Sequence, residues 1–106
     1  MSDAIKLLNV ENFDDFISQG KCIVDFSAEW CGPCKMLTPV FAEVAKEMKD
    51  KIKFGRVDVD GQQELAERFG IMSVPALVFF KEGEQVEINL GFADKKKLSG
   101  IIKNVF

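Results

Sequence analysis

The sequence predicts an α/β fold, in which a central mixed sheet of about five strands is flanked by about four helices on both faces. The run Cys22–Phe26 is apolar without polar alternation, which is typical of a strand covered on both faces. Strand-like and helix-like segments alternate from residue 4 to residue 70, which indicates parallel strands joined by right-handed crossovers. Two later strand-like runs are separated only by a turn, which predicts an antiparallel hairpin. With 106 residues, we expect one domain over residues 1–106.

The first elements follow from hydrophobic spacing and from helix start and stop signals. Ala4–Leu8 is a short strand-like run, and Asn12 offers an N-cap for a helix that Gly20 ends. After the buried strand, apolar residues recur at helical spacing over Pro33–Lys49. A proline suits the first turn of a helix, whereas Pro39 further along predicts a kink.

The middle of the chain predicts one further strand and one further helix. Ile52–Val59 is the next strand-like segment. Asp60 and Gln63 resemble a capping pair at the start of a helix, and Gly70 stops that helix. The strand and the helix together complete the alternating part of the fold.

The last third of the sequence predicts the hairpin and a final helix. Ala76–Phe80 and Gln85–Leu90 are the two hairpin strands, and the second alternates as an edge strand does. Asp94 is placed to cap the last helix through its carboxylate. The apolar residues of that helix form one stripe and are Leu98, Ile101, Ile102 and Val105.

Charge and hydropathy exclude several classes of partner. The formal charge of −3 arises from 14 basic and 17 acidic residues, and the only basic run, Lys95–Lys97, fits a solvated helical turn better than a nucleic-acid site. The longest apolar stretch, Val74–Phe80, is far shorter than a membrane span. The N-terminal residues lack a basic segment followed by an apolar run. We therefore expect a cytoplasmic location, no nucleic acid and no membrane partner.

The cysteines are the chemically informative residues, because the chain contains no histidine. This absence removes the commonest metal ligand and the usual general base of hydrolases. Cys31 and Cys34 could form half of a zinc site, but such a site needs two further ligands and only one other cysteine exists. That third cysteine, Cys22, begins a buried strand and is interpreted as a small core residue rather than a regulatory thiol. We therefore predict thiol chemistry without a metal or bound cofactor.

The segment Trp30–Lys35 joins the end of the buried strand to the start of a helix. Cys31 lies at the helix N-terminus, where unpaired N–H groups and the helix dipole stabilise a thiolate. The spacing puts both sulfurs on the first turn, close enough for a disulfide, with Cys34 more covered. We predict that Cys31 attacks and Cys34 resolves. Lowering the attacking pKa from about 8.5 to about 7 increases the rate only about threefold, so geometry and docking matter more than acidity.

Asp25 places a carboxylate inside the buried strand. Burial raises the pKa of such a group and makes it a candidate proton carrier beneath Cys34. The alternative is a structural ion pair with Arg56 on the neighbouring strand. We favour the proton carrier, because perturbed carboxylates concentrate at functional sites.

Taken together, these motifs resemble the thioredoxin family, and the resemblance covers essentially the whole chain in order. The matching segments are Val24–Phe26, Ala28–Lys35, Pro39, Val59–Asp60, Val74–Pro75, Phe79–Gly83 and Gly91. The resemblance implies the thioredoxin fold and a dithiol–disulfide exchange that reduces protein disulfides. It also implies that a flavin-containing thioredoxin reductase supplies the electrons. We expect the chain to be a monomer.

The resemblance further implies a docking surface around the attacking sulfur. The Val74–Pro75 bond is expected to be cis and to face the cysteine pair, and a substrate strand would hydrogen-bond the backbone at Val74. The residues that this implies for docking are Trp30, Gly32, Pro33, Met72, Ser73, Val74, Pro75, Gly91 and Phe92. Within the motif, Gly32, Pro33 and Lys35 are expected to tune the site.

Two residues depart from the pattern of many relatives. Ser27 replaces an aromatic residue, which predicts looser packing beside the site. Arg56 replaces a lysine; because arginine stays charged and binds a carboxylate through two donors, it should lower the pKa of Asp25 relative to a lysine partner.

Two other functions remain open at the level of the sequence. Oxidases and isomerases of this fold often carry histidine between the cysteines and begin with a secretory signal, unlike this chain. A binding module would use the same surface without redox turnover, and its function would survive replacement of Cys31 and Cys34 by serine.

Overall fold

The computed structural model describes residues 4–106 and contains nine regular elements. Strands and helices alternate until a final hairpin and helix, in the order that the sequence predicts. The strands are β1 (Ile5–Leu7), β2 (Lys21–Ser27), β3 (Lys53–Asp58), β4 (Ala76–Lys81) and β5 (Glu84–Leu90). The helices are α1 (Phe13–Ile17), α2 (Gly32–Met48), α3 (Gln63–Arg68) and α4 (Lys95–Val105).

The five strands form one mixed sheet in the order β1-β3-β2-β4-β5. β3 pairs in parallel with both β1 and β2, whereas β4 runs antiparallel to β2 and to β5. The turn between β4 and β5 has positive φ at Glu82 (51°) and Gly83 (85°), the conformation that tight hairpins require. The predicted mixed sheet and hairpin are confirmed.

An apolar core lies on each face of the sheet, because successive residues of β2 point to opposite sides. Ile23 packs with buried residues of α2 and α4 on one face. Val24 and Phe26 pack with residues of α1 and α3 on the other face. Two covered faces explain why β2 is mostly apolar and why five consecutive residues of it are buried.

Two of the three predicted helix caps differ from the structure. Asn12 is at the N-cap position of α1, but its side chain accepts a hydrogen bond from the Asn9 N–H (2.8 Å) instead of capping. Asp60 does not cap α3, because the Gln62 N–H bonds the Asp58 carbonyl (2.8 Å) and this turn delays the helix start to Gln63. Asp94 does cap α4, accepting from the Lys97 N–H at 2.8 Å.

Helix α2 continues through Pro39 and ends at Met48. Among the described residues, none of the helices combines the length and hydrophobicity that crossing a bilayer requires.

Candidate functional site

The cysteine pair lies where β2 passes into α2. Cys31 has extended backbone angles (φ −90°, ψ 117°) and occupies the N-cap position of α2. The Cys34 N–H donates a hydrogen bond to the Cys31 Sγ at 3.2 Å. The two residues form a disulfide, with Cα atoms 5.2 Å apart. The helix N-terminus therefore directs an N–H donor and the positive end of its dipole at Cys31 Sγ, which would stabilise negative charge there after reduction.

The two cysteines contact different parts of the protein, although both are buried. Cys31 Sγ lies 3.6 Å from the carbonyl oxygen of Val74. Cys34 lines a cleft of about 630 Å³ on the β3 side of α2. The predicted difference in cover between them is small, since Cys31 is 5% and Cys34 is 3% exposed.

The loop before β4 brings a second segment to Cys31. The Val74–Pro75 bond is cis, as the resemblance implies. The Gly91 N–H donates to the Pro75 carbonyl at 2.8 Å, and Gly91 has a positive φ of 88°, which glycine tolerates without strain. The contact of Cys31 Sγ with Val74 and the Gly91–Pro75 hydrogen bond therefore link the start of α2 to the loop before β4 and to the residue after β5.

The expected docking residues differ in how much surface they expose. Trp30 is 70%, Met72 is 97% and Phe92 is 37% exposed, which is unusual for large apolar side chains. Of the others, Gly32, Pro33 and Ser73 are exposed, Val74 and Gly91 are half-buried, and Pro75 is buried. The expected docking residues therefore include three large apolar side chains that are open to solvent.

Asp25 is fully buried and forms an ion pair with Arg56, since the Arg56 Nη2 lies 3.2 Å from the Asp25 Oδ2. Burial raises the pKa of Asp25 to about 6, and the opposing charge and hydrogen bond of Arg56 limit the rise. The other carboxylate oxygen, Oδ1, has no hydrogen-bond partner among residues 4–106. The structure therefore contains the ion pair that the sequence offered as the alternative, and the pKa of Asp25 remains above its usual range.

A short polar chain connects this ion pair to the first turn of α2. Arg56 Nη2 also donates to the Thr38 hydroxyl oxygen at 3.4 Å, and that hydroxyl donates to the Cys34 carbonyl at 3.0 Å. Arg56, Thr38, Lys35 and Cys34 all line the same cleft. Sequence reasoning missed Thr38, although its position one helical turn after Cys34 is a usable signal.

Ser27 lines this cleft and is half-buried. The looser packing that the sequence predicts beside the site stays a prediction.

Asp60 is a second residue near the site whose position the sequence did not reveal. Its Oδ2 accepts a hydrogen bond from the Trp30 indole N–H at 2.9 Å. The residues are thirty positions apart, and no local pattern identifies such a pair. Asp60 therefore belongs to the surroundings of the cysteine pair instead of the α3 terminus.

The third cysteine, Cys22, has the surroundings of a core residue. Cys22 is fully buried in the core beneath α1, and its Sγ lies 3.5 Å from the Phe16 carbonyl oxygen. Burial raises the pKa of its thiol, which suppresses the reactive thiolate. Within residues 4–106, no group of three or more cysteine and acidic residues is placed to hold a metal ion.

Comparisons with known proteins agree with this geometry. The thioredoxin family model matches residues 4–104. The chain is 45% identical to thioredoxin of Bacillus subtilis over 92 residues, covering 87% of this chain and 88% of that protein. It is 42% identical to thioredoxin of Chlamydia caviae over 98 residues, covering 92% and 95% respectively.

A solved structure extends the agreement to three dimensions. The crystal structure of Malassezia sympodialis thioredoxin superposes with a TM-score of 0.85 at 36% identity, covering 95% of this chain and 90% of that one. This superposition confirms the predicted fold class. The family match, the fold and the disulfide at the start of α2 together establish that the chain belongs to the thioredoxin family of thiol–disulfide oxidoreductases.

Proposed function

We propose that this protein reduces disulfides of other proteins by dithiol–disulfide exchange and is itself re-reduced by thioredoxin reductase. The observation that carries the proposal is the Cys31–Cys34 disulfide at the N-terminus of α2, with the Cys34 N–H directed at Cys31 Sγ. The helix terminus favours a thiolate at Cys31 in the reduced protein.

In the first step, the Cys31 thiolate attacks one sulfur of the substrate disulfide. A bond forms between Cys31 Sγ and that sulfur, and the substrate disulfide breaks to release the other sulfur as a thiolate. Before the attack, the Cys34 N–H donates to Cys31 Sγ and stabilises the thiolate charge there. Cys31 Sγ loses this charge when it forms the bond to the substrate sulfur.

In the second step, Cys34 resolves the mixed disulfide. The Cys34 thiol gives its proton to the Asp25 carboxylate, its sulfur attacks Cys31 Sγ, and the remaining substrate sulfur leaves as a thiolate. The substrate gains two electrons, and the pair becomes the Cys31–Cys34 disulfide. With a pKa of about 6, Asp25 is about nine-tenths ionised at pH 7 and can accept this proton.

Substrate binding uses the apolar face beside Cys31. The exposed side chains of Trp30, Met72 and Phe92 supply area for burial, and the backbone at Val74 offers hydrogen bonds to an extended substrate segment. Docking raises the effective concentration of the target disulfide at Cys31, which accelerates exchange more than a shift in thiol acidity does.

The test is a redox titration of the purified protein in graded dithiol and disulfide buffers, followed by fluorescence of Trp30 and by thiol trapping with mass mapping. We expect a reversible two-electron transition at a strongly reducing potential, with two thiols lost at Cys31 and Cys34. Turnover of a protein disulfide with NADPH and thioredoxin reductase should disappear in Cys31→Ser. Cys22→Ala is the matched control and should retain turnover.

Other outcomes would assign a different function. A markedly oxidising midpoint would indicate an oxidase or isomerase. Partner support that survives in the double variant Cys31→Ser and Cys34→Ser would indicate a binding module that uses the surface without redox turnover.

A further inference from the structure

Trp30 presents an unusual combination of exposure and order at the docking face. It is the only tryptophan in the chain, and 70% of its surface is exposed. A large ring in solvent populates several rotamers, and a partner that binds one of them must supply the entropy lost by fixing it. A residue that already fixes the ring in the free protein would remove part of this cost.

Asp60 makes the contact that can fix the ring. The indole has a single donor, its N–H, and the structure directs this donor at the Asp60 carboxylate oxygen at 2.9 Å. A carboxylate is a strong acceptor, because its charge shortens and strengthens the hydrogen bond. The bond therefore restrains the orientation of an indole that lies mostly in solvent.

Asp60 is itself held in place by hydrogen bonds at the end of β3. Its N–H donates to the Asp58 Oδ1 at 3.1 Å. The Val59 N–H donates to the Ser27 carbonyl at 2.9 Å and joins this loop to the end of β2. The restraint on Trp30 is thus anchored on two strands of the sheet.

We infer that Asp60 is a positioning residue, which holds the Trp30 indole in one orientation so that an incoming disulfide-bearing segment meets a preordered docking surface. The inference rests on the proposed function, since it assigns Trp30 to docking. Asp60 contacts neither sulfur in the structure's hydrogen-bond network; it acts through Trp30. Its loss should therefore weaken substrate binding and leave the exchange step intact.

The experiment compares Asp60→Ala, Asp60→Asn and the control Asp50→Asn, an exposed acid in the connection between α2 and β3. Time-resolved fluorescence anisotropy of the reduced protein reports nanosecond motion of the single tryptophan directly. We expect more local motion in Asp60→Ala, an intermediate value in Asp60→Asn, whose amide oxygen can still accept, and no change in the control. KM for a protein disulfide should rise about three- to tenfold in Asp60→Ala, the loss of one hydrogen bond, with kcat unchanged.

A double-mutant cycle separates the indole bond from a direct effect of the Asp60 charge. Trp30→Phe lacks the N–H, so adding Asp60→Ala to it should cause no further increase in KM. An equal increase in both backgrounds, or unchanged anisotropy in Asp60→Ala, would overturn the inference. Failure of the proposed function would instead appear as absent turnover by the unaltered chain, while anisotropy still reports on the indole restraint.

Discussion

The Arg56 guanidinium lies 3.2 Å from the carboxylate of Asp25 and places its positive charge beside this fully buried acid. The two residues are direct partners in the parallel register of β2 and β3. Burial raises the pKa of Asp25 and Arg56 lowers it, with burial the larger effect. The balance of these effects leaves the pKa of Asp25 at about 6.

The raised pKa of Asp25 predicts a pH dependence of stability. The folded pKa of about 6 exceeds the unfolded value near 3.8, so the native state binds more protons between these values. The free energy of unfolding should therefore fall as pH rises from about 4 through 6, by roughly 3 kcal/mol for a shift of about two units. Urea unfolding of the oxidised protein against pH measures this change.

Asp25→Asn supplies the control for this window, because an amide does not titrate. The decline between pH 4 and pH 7 should flatten in this variant and persist in Asp50→Asn. An unchanged slope in Asp25→Asn would show that Asp25 is not the group responsible.

Arg56→Ala should raise the pKa of Asp25 further, because it removes the charge and the hydrogen bond that now lower it. If Asp25 accepts the Cys34 proton, the resolving step needs higher pH in this variant. A rise of about one pH unit in the pKa of Asp25 would slow that step about twofold at pH 7 and close to tenfold near pH 5.

Rapid-quench measurement of the decay of a mixed disulfide against pH detects the change. Arg56→Lys keeps a positive charge and should shift the profile less than Arg56→Ala. An unchanged pH profile of mixed-disulfide decay in both variants would show that the ion pair does not affect proton transfer in the resolving step.

The three thiols of the reduced protein should differ sharply in reactivity. Iodoacetamide at neutral pH should modify Cys31 first, because its sulfur is at a helix N-terminus. Cys22 should stay unmodified until the protein unfolds, because it is fully buried and burial raises the pKa of its thiol. Mass mapping after timed labelling in buffer and in denaturant tests the order, and early labelling at Cys22 would contradict it.

The two acids that the sequence predicts as caps should differ in their effect on stability. Asp94→Ala removes an observed N-cap hydrogen bond and should lower the free energy of unfolding by about 1 kcal/mol. Asp60→Ala should cost less, because Asp60 caps no helix and its contact with Trp30 lies at the surface. Chemical denaturation of both variants measures the contrast, and equal losses would argue for a helix-capping role of Asp60.

The wrong prediction that Asp60 caps α3 shows the limit of predictions from local sequence pattern. The spacing of Asp60 and Gln63 matches a capping pair, but the turn that starts at Asp58 delays the helix. Asp94, by contrast, follows no such competing turn and caps as predicted. Capping signals are reliable only where the preceding backbone leaves the residue at the helix boundary.

The sequence by itself determined the order of strands and helices, the hairpin and the place of Cys31 at the start of α2. These features depend on residue periodicity, helix capping and turn chemistry, which act between near neighbours. It also offered Arg56 as an ion-pair partner for Asp25, although the proton carrier was the favoured interpretation.

Only the tertiary structure decided which distant groups meet at the site. The register of β2 and β3 sets Arg56 beside Asp25, and loop geometry brings Val74 to Cys31 and Asp60 to Trp30. The degree of burial then determines how far the pKa of Asp25 rises. These relationships depend on packing between segments far apart in the chain, for which no spacing along the sequence is diagnostic.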